Sequence, residues 1–245
     1  MKKTSRKLKY RRVLLKLSGE VLGNRDSGEC LDPARLAYMA DRVRRLRALG
    51  CEVGVMLGGG NIFRGLAGAS RGVDRVTGDS MGMLATVINS LALMNALEAA
   101  GMPASVMTAT DMPKIAEPFV ARRALRYLSE GRVVIFGGGT GNPYFSTDSA
   151  AALKACEIGA DVLLKATKVD GIYTADPKKD PKAERYRSLT YETALERRLK
   201  VMDAAAFALC RDNSIPIVVF DFFDRNALVG VVSGKSMGTL VSEKG

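Results

Sequence analysis

The sequence predicts an α/β protein built on a mainly parallel central sheet with helices on both faces. Three observations carry the prediction. Short, almost wholly apolar runs recur along the chain, helical periodicity fills most of the intervals between them, and nothing within residues 13–245 reads as linker or low-complexity sequence. A strand covered on both faces is apolar throughout, and strands of that kind separated by helices assemble in parallel. At 245 residues and 47% hydrophobic, the chain has the material for one large core.

The expected strands are Val13–Leu17, Val53–Leu57, Ala104–Met107, Val133–Phe136, Val162–Leu164 and Ile217–Phe220. After the first, a helix is expected from Pro33 with Asp32 as its cap. Leu36, Met39, Ala40, Val43 and Leu46 form its apolar face, and Arg42, Arg44, Arg45 and Arg47 fall largely on the other. A longer helix is expected from about Asp79 to Ala100, with Leu84, Val87, Ile88, Leu91 and Met94 as its stripe. Further helices are expected over residues 117–129, 148–158, 191–197 and 203–211, and residues 175–187, rich in Asp, Pro and Lys, read as a surface loop. Gly-Gly-Gly begins at Gly58 and again at Gly137, and Leu-Leu-Lys at Leu14 and again at Leu163. The two spacings differ, which argues against a tandem repeat.

Composition closes several routes. The chain has no histidine, so Ser-His-Asp and Cys-His nucleophiles, His-ligated zinc and an imidazole base are excluded. The net charge of +11 is unevenly placed: residues 1–12 hold seven Lys or Arg and no acid, and the remaining 233 residues hold 30 bases and 26 acids. The excess is a basic tail over residues 1–12, ahead of a domain spanning 13–245. With one aromatic and no binding fold around it, the tail does not make nucleic acid the expected partner. Cys30, Cys51, Cys156 and Cys210 contain no Cys-x-x-Cys pair and read as reduced packing residues of a cytoplasmic protein. No apolar run approaches the ~18 residues of a membrane span, so no membrane partner is expected.

Ligands of open parallel sheets bind beyond the carboxyl ends of the strands, so the strand exits form one set. Four are unusual: Lys16-Leu17-Ser18-Gly19, Gly58-Gly59-Gly60-Asn61, Gly137-Gly138-Gly139-Thr140-Gly141-Asn142-Pro143 and Lys165-Ala166-Thr167-Lys168-Val169-Asp170-Gly171. Glycine clusters allow successive N–H groups to turn toward one anion, and a helix N-terminus behind them favours negative charge. One such cluster is explained equally well by a tight turn. Two clusters with lysines on neighbouring exits point to phosphate, and Lys16, Lys165 and Arg64 are placed to neutralise a transferring phosphoryl group. Lys16 is the hardest to explain as a surface base, because it interrupts a buried strand.

Two acids stand beside these exits. Asp79 and Asp148 each open an expected helix, and both fit a plain N-cap role as well as a functional one. As functional groups, Asp79 would accept ribose hydroxyls and Asp148 would orient Lys16 and Lys165 or a metal-bound phosphate. The methionines around Asp79 read as core or subunit-interface residues. The run Gly230-Val231-Val232-Ser233-Gly234-Lys235-Ser236 is one residue short of a P-loop between its glycines and follows a helical segment, so it reads as a turn. No G-x-G-x-x-G occurs, which leaves a dinucleotide site unsupported.

From about Tyr10 to Val241 the chain resembles the bacterial uridylate kinases of the amino acid kinase superfamily. The resemblance rests on Leu14-Leu15-Lys16-Leu17-Ser18-Gly19-Glu20, Gly58-Gly59-Gly60-Asn61 with Phe63-Arg64-Gly65, Gly78-Asp79-Ser80-Met81-Gly82-Met83-Leu84-Ala85-Thr86, Gly139-Thr140-Gly141-Asn142-Pro143, Thr147-Asp148-Ser149-Ala150-Ala151, Lys165–Gly171 and Lys200-Val201-Met202-Asp203. It implies a three-layer sandwich of the amino acid kinase type. The UMP side would lie mostly within residues 13–150 and the ATP side mostly within 151–245.

The reaction it implies is Mg²⁺-dependent transfer of a phosphoryl group from ATP to UMP, giving ADP and UDP for pyrimidine nucleotide synthesis. Lys16, Arg64, Asp148 and Lys165 would be catalytic. ATP would be held by Lys16, Leu17, Ser18, Gly19, Gly60, Arg64, Thr167, Tyr173 and Asp176. UMP would be held by Gly59, Asp79, Thr140, Gly141, Asn142, Pro143, Tyr144, Phe145, Ser146 and Thr147. The metal would be carried by the ATP phosphates, with no protein site of its own, and the assembly would be a cytoplasmic homohexamer. Asp203 receives no role. Gly28-Glu29-Cys30-Leu31-Asp32 stands where GTP-activated relatives read Gly-Phe-Gly-Ile-Asp, so the resemblance does not extend to GTP control. The alternative is a kinase of the same superfamily acting on a carboxylate or carbamate.

Overall fold

The computed structural model describes residues 8–24, 26–63, 72–177, 179–197, 199 and 201–245. Its strands are β1 (Arg12–Leu17), β2 (Glu52–Leu57), β3 (Ala104–Thr108), β4 (Glu117–Pro118), β5 (Val133–Gly137), β6 (Val162–Thr167), β7 (Ser188–Thr190), β8 (Ile217–Asp221) and β9 (Thr239–Ser242). Its α-helices are α1 (Pro33–Ala48), α2 (Arg75–Ala99), α3 (Ala121–Ser129), α4 (Thr147–Glu157), α5 (Tyr191–Glu196), α6 (Ala204–Asp212) and α7 (Ala227–Val232), and a 3₁₀ turn over Gly19–Val21 follows β1. The strands form one sheet in the order β4-β3-β5-β2-β1-β6-β8-β9-β7. All neighbours run parallel except β8 and β9.

Alternate residues of each strand feed two cores. Val13, Leu15 and Leu17 of β1 pack with α1, α2 and α7 on one face. Leu14 packs with α3, α4, α5 and α6 on the other. The six expected strands are all present, and each is apolar because both of its faces are covered. β4, β7 and β9 are two to four residues long, too short for a periodic pattern to announce them.

Several boundaries and faces differ from expectation. α2 begins at Arg75 with Asp74 as its side-chain cap, so Asp79 lies one turn inside the helix and is not its cap. α4 is capped by Ser146, whose oxygen accepts from the N–H groups of Asp148 and Ser149, so Asp148 is not the cap there either. The segment expected to be helical from residue 117 pairs first as β4, and α3 starts at Ala121. Arg42 is not on a solvated face: it is 1% exposed, between the rings of Tyr38 and Phe222, with its guanidinium donating to the Asp224 carbonyl. Of the expected α2 stripe, Val87 is buried while Leu84 (54%) and Ile88 (47%) are exposed in the single chain. The helix turns Ala85, Thr86, Asn89, Ser90 and Leu93 inward instead.

α2 also corrects the membrane argument. By length and composition this helix is apolar enough to cross a bilayer, with a mean hydropathy of 1.4 over its most apolar window. In the fold it is a core helix, set beside β3 and β5 with Leu93 and Leu97 fully buried. The four cysteines are free thiols; Cys51 and Cys210 are buried and Cys156 partly so, but Cys30 is exposed on the loop before α1 and is not a packing residue. Of the run 230–236, expected to be a turn throughout, residues 230–232 still belong to α7 and the turn follows them.

Candidate functional site

The site forms at the carboxyl ends of β1, β2, β5 and β6, and strand register builds its centre. In the β1–β6 pair Leu14 faces Leu163, Leu15 faces Leu164 and Lys16 faces Lys165. The repeated Leu-Leu-Lys is thus one feature seen twice, two lysines side by side on neighbouring strands and on the same face. α4 lies on that face. Its Ala150, Ala151, Ala152 and Ala155 are fully buried, and side chains that small let the helix sit close to the sheet.

The first turn of α4 therefore sets Asp148 between the lysines. Lys165 Nζ donates to Asp148 Oδ2 at 2.5 Å. Lys16 Nζ lies 2.6 Å from the other carboxylate oxygen, Oδ1, so each oxygen of Asp148 meets one ammonium group. All three side chains are 10–15% exposed. Burial alone would raise the Asp148 pKa, but the two lysines outweigh it and hold the carboxyl below the ordinary carboxylate range. Burial, reinforced by the neighbouring Lys16 charge, pushes Lys165 down to about 8. With both lysines protonated the trio carries a net positive charge in a poorly solvated place, which suits an entering phosphate.

Close backbone approach shapes the adjoining exits. A Cβ on Gly19 would lie 2.3 Å from Asn61 Oδ1 and 2.4 Å from the Gly58 carbonyl oxygen, and one on Gly59 would lie 2.7 Å from the Gly82 carbonyl oxygen. Only glycine allows β1, β2 and α2 to meet this tightly. Asn89, fully buried on α2, donates to the Gly58 carbonyl at 2.7 Å and exchanges amide hydrogen bonds with Asn61 at 2.8 and 3.0 Å. Asn61 in turn donates to the Cys30 carbonyl at 2.7 Å. Asn89 is a site-supporting residue that sequence reasoning missed, although an Asn within the apolar run Val87–Leu93 was the signal for it.

Beside the trio opens a cavity of about 300 Å³. Of the expected nucleotide residues, Gly59, Gly60, Asp79, Asn142, Phe145, Ser146 and Thr147 line it, while Thr140, Gly141, Pro143 and Tyr144 shape its loop without lining it. Phe63, Gly78, Gly82, Met83, Thr86 and Gly139 line it without having been singled out as ligand contacts. Asp79 crosses from α2 to this loop: its Oδ2 accepts from Arg75 Nε and from the Tyr144 N–H, each at 2.7 Å. Burial opposes the charge of Asp79, yet these two donors hold its pKa low. Tyr144 sits at φ +71°, a left-handed conformation that the Asp79 bond helps to hold. Thr86 fastens the start of the loop, accepting from the Gly138 N–H at 2.8 Å.

Asp203 has a clear structural task. Its carboxylate caps α6 through the Ala206 N–H at 2.7 Å, accepts from Ser149 Oγ at 2.9 Å, and also accepts from Ser146 Oγ. It thereby ties the N-terminus of α6 to the cap of α4, the helix that carries Asp148.

The expected adenosine residues sit apart from the cavity. Thr167 ends β6 and bonds to Val169 and to the Phe220 carbonyl, and Tyr173 donates to Asp170 at 2.6 Å. Asp176 begins the turn that Lys179 and Asp180 close. Lys168 reaches back across the exits to Glu20, Nζ to Oε2 3.3 Å. Arg64, expected on the phosphate, lies outside the described residues.

A parallel sheet with paired lysines and glycine cradles at its strand exits is the layout of a small-molecule kinase, and sequence comparison places it within one family. Residues 11–221 match the amino acid kinase family, and the chain belongs to it. The chain is 56% identical over 235 residues to the uridylate kinases of Brucella anthropi and Brucella abortus biovar 1, covering 96% of this chain and 97% of each relative. The crystal structure of UMP kinase from Bacillus anthracis superposes with a TM-score of 0.93 at 38% identity, covering 96% of this chain and 97% of that one. The Ureaplasma parvum UMP kinase gives 0.90 at 38% identity, covering 95% and 99%.

Proposed function

We propose that this chain is an ATP-dependent UMP kinase, transferring the γ-phosphoryl group of ATP to UMP and releasing ADP and UDP. One observation carries the reading: the Lys16–Asp148–Lys165 trio stands beside a glycine-rimmed cavity in a chain 56% identical to two uridylate kinases. A UMP phosphate oxygen is already a nucleophile and needs no deprotonation. A site without histidine can therefore act by positioning and charge neutralisation alone.

In this reading Lys16 and Lys165 neutralise charge on the transferring group, Asp148 keeps both ammonium groups in place, and Arg64 adds a third cation. Lys16–Gly19 and Gly60 hold the ATP phosphates, with Thr167, Tyr173 and Asp176 on the adenosine. Gly59, Asp79 and the loop 140–147 hold UMP. The UMP side belongs mostly to residues 13–150 and the ATP side to 151–245.

Mg²⁺ enters on ATP. Asp148 is one carboxylate already paired with two lysines, whereas Mg²⁺ takes most of its oxygens from phosphate and water, so the chain's own donors fit a metal delivered by the nucleotide. Such a metal would neutralise the phosphate oxygens during transfer.

Self-association as a homohexamer in the cytoplasm completes the proposal. The exposed apolar residues Met81, Leu84 and Ile88 recur at helical spacing along one side of α2 and support burial against a second copy. Light scattering on the purified chain tests it, and a stable monomer refutes it.

The substrate is tested by coupled ADP release with UMP, CMP, AMP, GMP, carbamate and acetylglutamate. UMP should give the highest kcat/KM by at least ~10²-fold over the purine monophosphates, a margin expected where base-edge groups are hydrogen-bonded. Preference for carbamate or acetylglutamate would refute the reading, as would nucleotide binding without turnover.

A further inference from the structure

Two features of the sequence have no part in phosphoryl transfer: the basic segment before β1 and the run Gly230–Ser236. They meet at one cavity of about 230 Å³, which shares no lining residue with the cavity beside the trio. Three cations line it from three separate segments: Lys9 before β1, Arg187 before β7 and Lys235 between α7 and β9. Ser188 and Ser236 add hydroxyls.

We propose that this cavity is a binding site for a small oligophosphate anion. None of the three cations forms an ion pair with an acid among the described residues. Like charges gathered around a concave surface repel one another and raise the local attraction for an anion. A carboxylate presents two oxygens in one plane. A chain of phosphates presents several around its length, which suits cations arriving from three directions.

The wall is built, not loose. Lys9 N donates to the Val232 carbonyl at 2.8 Å, fixing Lys9 to the end of α7. Gly234, at φ +83°, ends that helix and turns Lys235 and Ser236 onto the cavity. At Gly238, φ +98°, a Cβ would lie 2.1 Å from the Val219 carbonyl oxygen, so glycine alone lets the loop lie flat against β8. The volume falls below the ~300–1,000 Å³ usual for drug-sized ligands, which selects a small anion.

The test is calorimetric titration of inorganic tripolyphosphate, without Mg²⁺ and at fixed ionic strength, into the full-length chain. Three proteins are compared: wild type, the double variant Arg187→Ala/Lys235→Ala, and Lys16→Ala. The proposal expects binding to weaken at least ~10-fold in the double variant, about the worth of one charge-assisted hydrogen bond, and to persist in Lys16→Ala. Should Lys16→Ala fail to fold, wild type saturated with UMP and a non-hydrolysable ATP analogue must still bind tripolyphosphate. Unchanged binding in the double variant would overturn the proposal. So would binding that disappears when the catalytic cleft is disabled or filled, or binding of a single-stranded oligonucleotide with steep salt dependence where tripolyphosphate does not bind.

Discussion

The lysine trio, proposed as the phosphate end of the cleft, and the glycine-rimmed cavity, proposed as its nucleoside end, are organised by different physics. At the phosphate end three charged side chains come from regular elements, two from strands in exact register and one from the first turn of a helix, and they hold one another by ion pairing under poor solvation. At the nucleoside end little is charged. There the shape comes from backbone contacts that only glycine permits, from a left-handed Tyr144, and from Asp79 joining α2 to the loop. Damage to the first should appear in turnover and stability, and damage to the second in substrate affinity.

The largest effect should follow Asp148→Asn. The amide leaves two buried ammonium groups facing a neutral partner, and an uncompensated buried charge costs about 3–5 kcal/mol. Turnover should fall by at least ~10²-fold, the scale of losing one preorganised electrostatic partner, with a clear drop in Tm. Steady-state kinetics and thermal melts check both. A kcat within fivefold of wild type would show that the lysines need no counter-ion, and the contrast between the two ends would collapse.

The two ends also differed in how readable they were. The strands that carry Lys16 and Lys165 were visible as apolar runs, and a lysine interrupting a buried strand was a usable signal. Their adjacency was not visible, because it depends on which strands pair: the spacing of the repeated Leu-Leu-Lys speaks only against a tandem repeat and is silent on strand register. Around the nucleoside cavity the glycine clusters were plain, but their necessity lies in contacts to Gly82 and Asn61 that no local rule reaches. From sequence, Asp79 and Asp148 each open an expected helix. Asp74 and Ser146 cap those helices instead, and this leaves both carboxylates free for long-range partners. The exposed residues of α2 defeated the pattern for another reason: a stripe that is apolar on both sides does not say which side meets its own core.

Gly59→Ala should act at the nucleoside end. The new methyl would press on the Gly82 carbonyl oxygen and on Ala85 Cβ, at 2.7 and 2.8 Å, so β2's exit must move away from α2. Overpacking of this kind costs about 1–3 kcal/mol. If most of it falls on the substrate cavity, KM for UMP rises by ~10-fold or more while KM for ATP changes less. An equal rise in both would mean that the loop serves the two substrates together and that the ends are not separable.

The pH dependence should distinguish the same two ends. Lys165 is held down to about 8 by burial and by the neighbouring Lys16 charge, so in the free protein its proton is lost as pH rises through that value. kcat/KM for ATP should then decline above about pH 8, by up to ~10-fold per pH unit, while bound phosphate keeps Lys165 protonated and kcat holds to higher pH. For stability the sign is opposite to that of a gained cation. Between about pH 8 and the ordinary lysine value of 10.5 the unfolded chain binds the proton that the native chain has lost, so this group makes stability rise with pH across that window. Lys165→Arg should move the kinetic inflection out of the measurable range. An inflection near 8 that survives in Lys165→Arg would assign it to another group.

The smallest effect should come from Lys168→Ala, which separates charge that belongs to the cleft from charge merely near it. Lys168 pairs with Glu20 at 3.3 Å, but its side chain is 51% exposed, and exposed pairs contribute at most about 1 kcal/mol, less as salt rises. The pair joins the turn after β1 to the exit of β6, the two segments expected to hold ATP, so its one specific consequence would be on nucleotide binding. KM for ATP should change by no more than about 3-fold, with the change fading at high salt, and kcat should stay as it was. A fall in kcat comparable to that of Asp148→Asn would mean that the strand-borne trio is not where phosphoryl charge is met, because a solvated lysine on a loop would then be doing the same work.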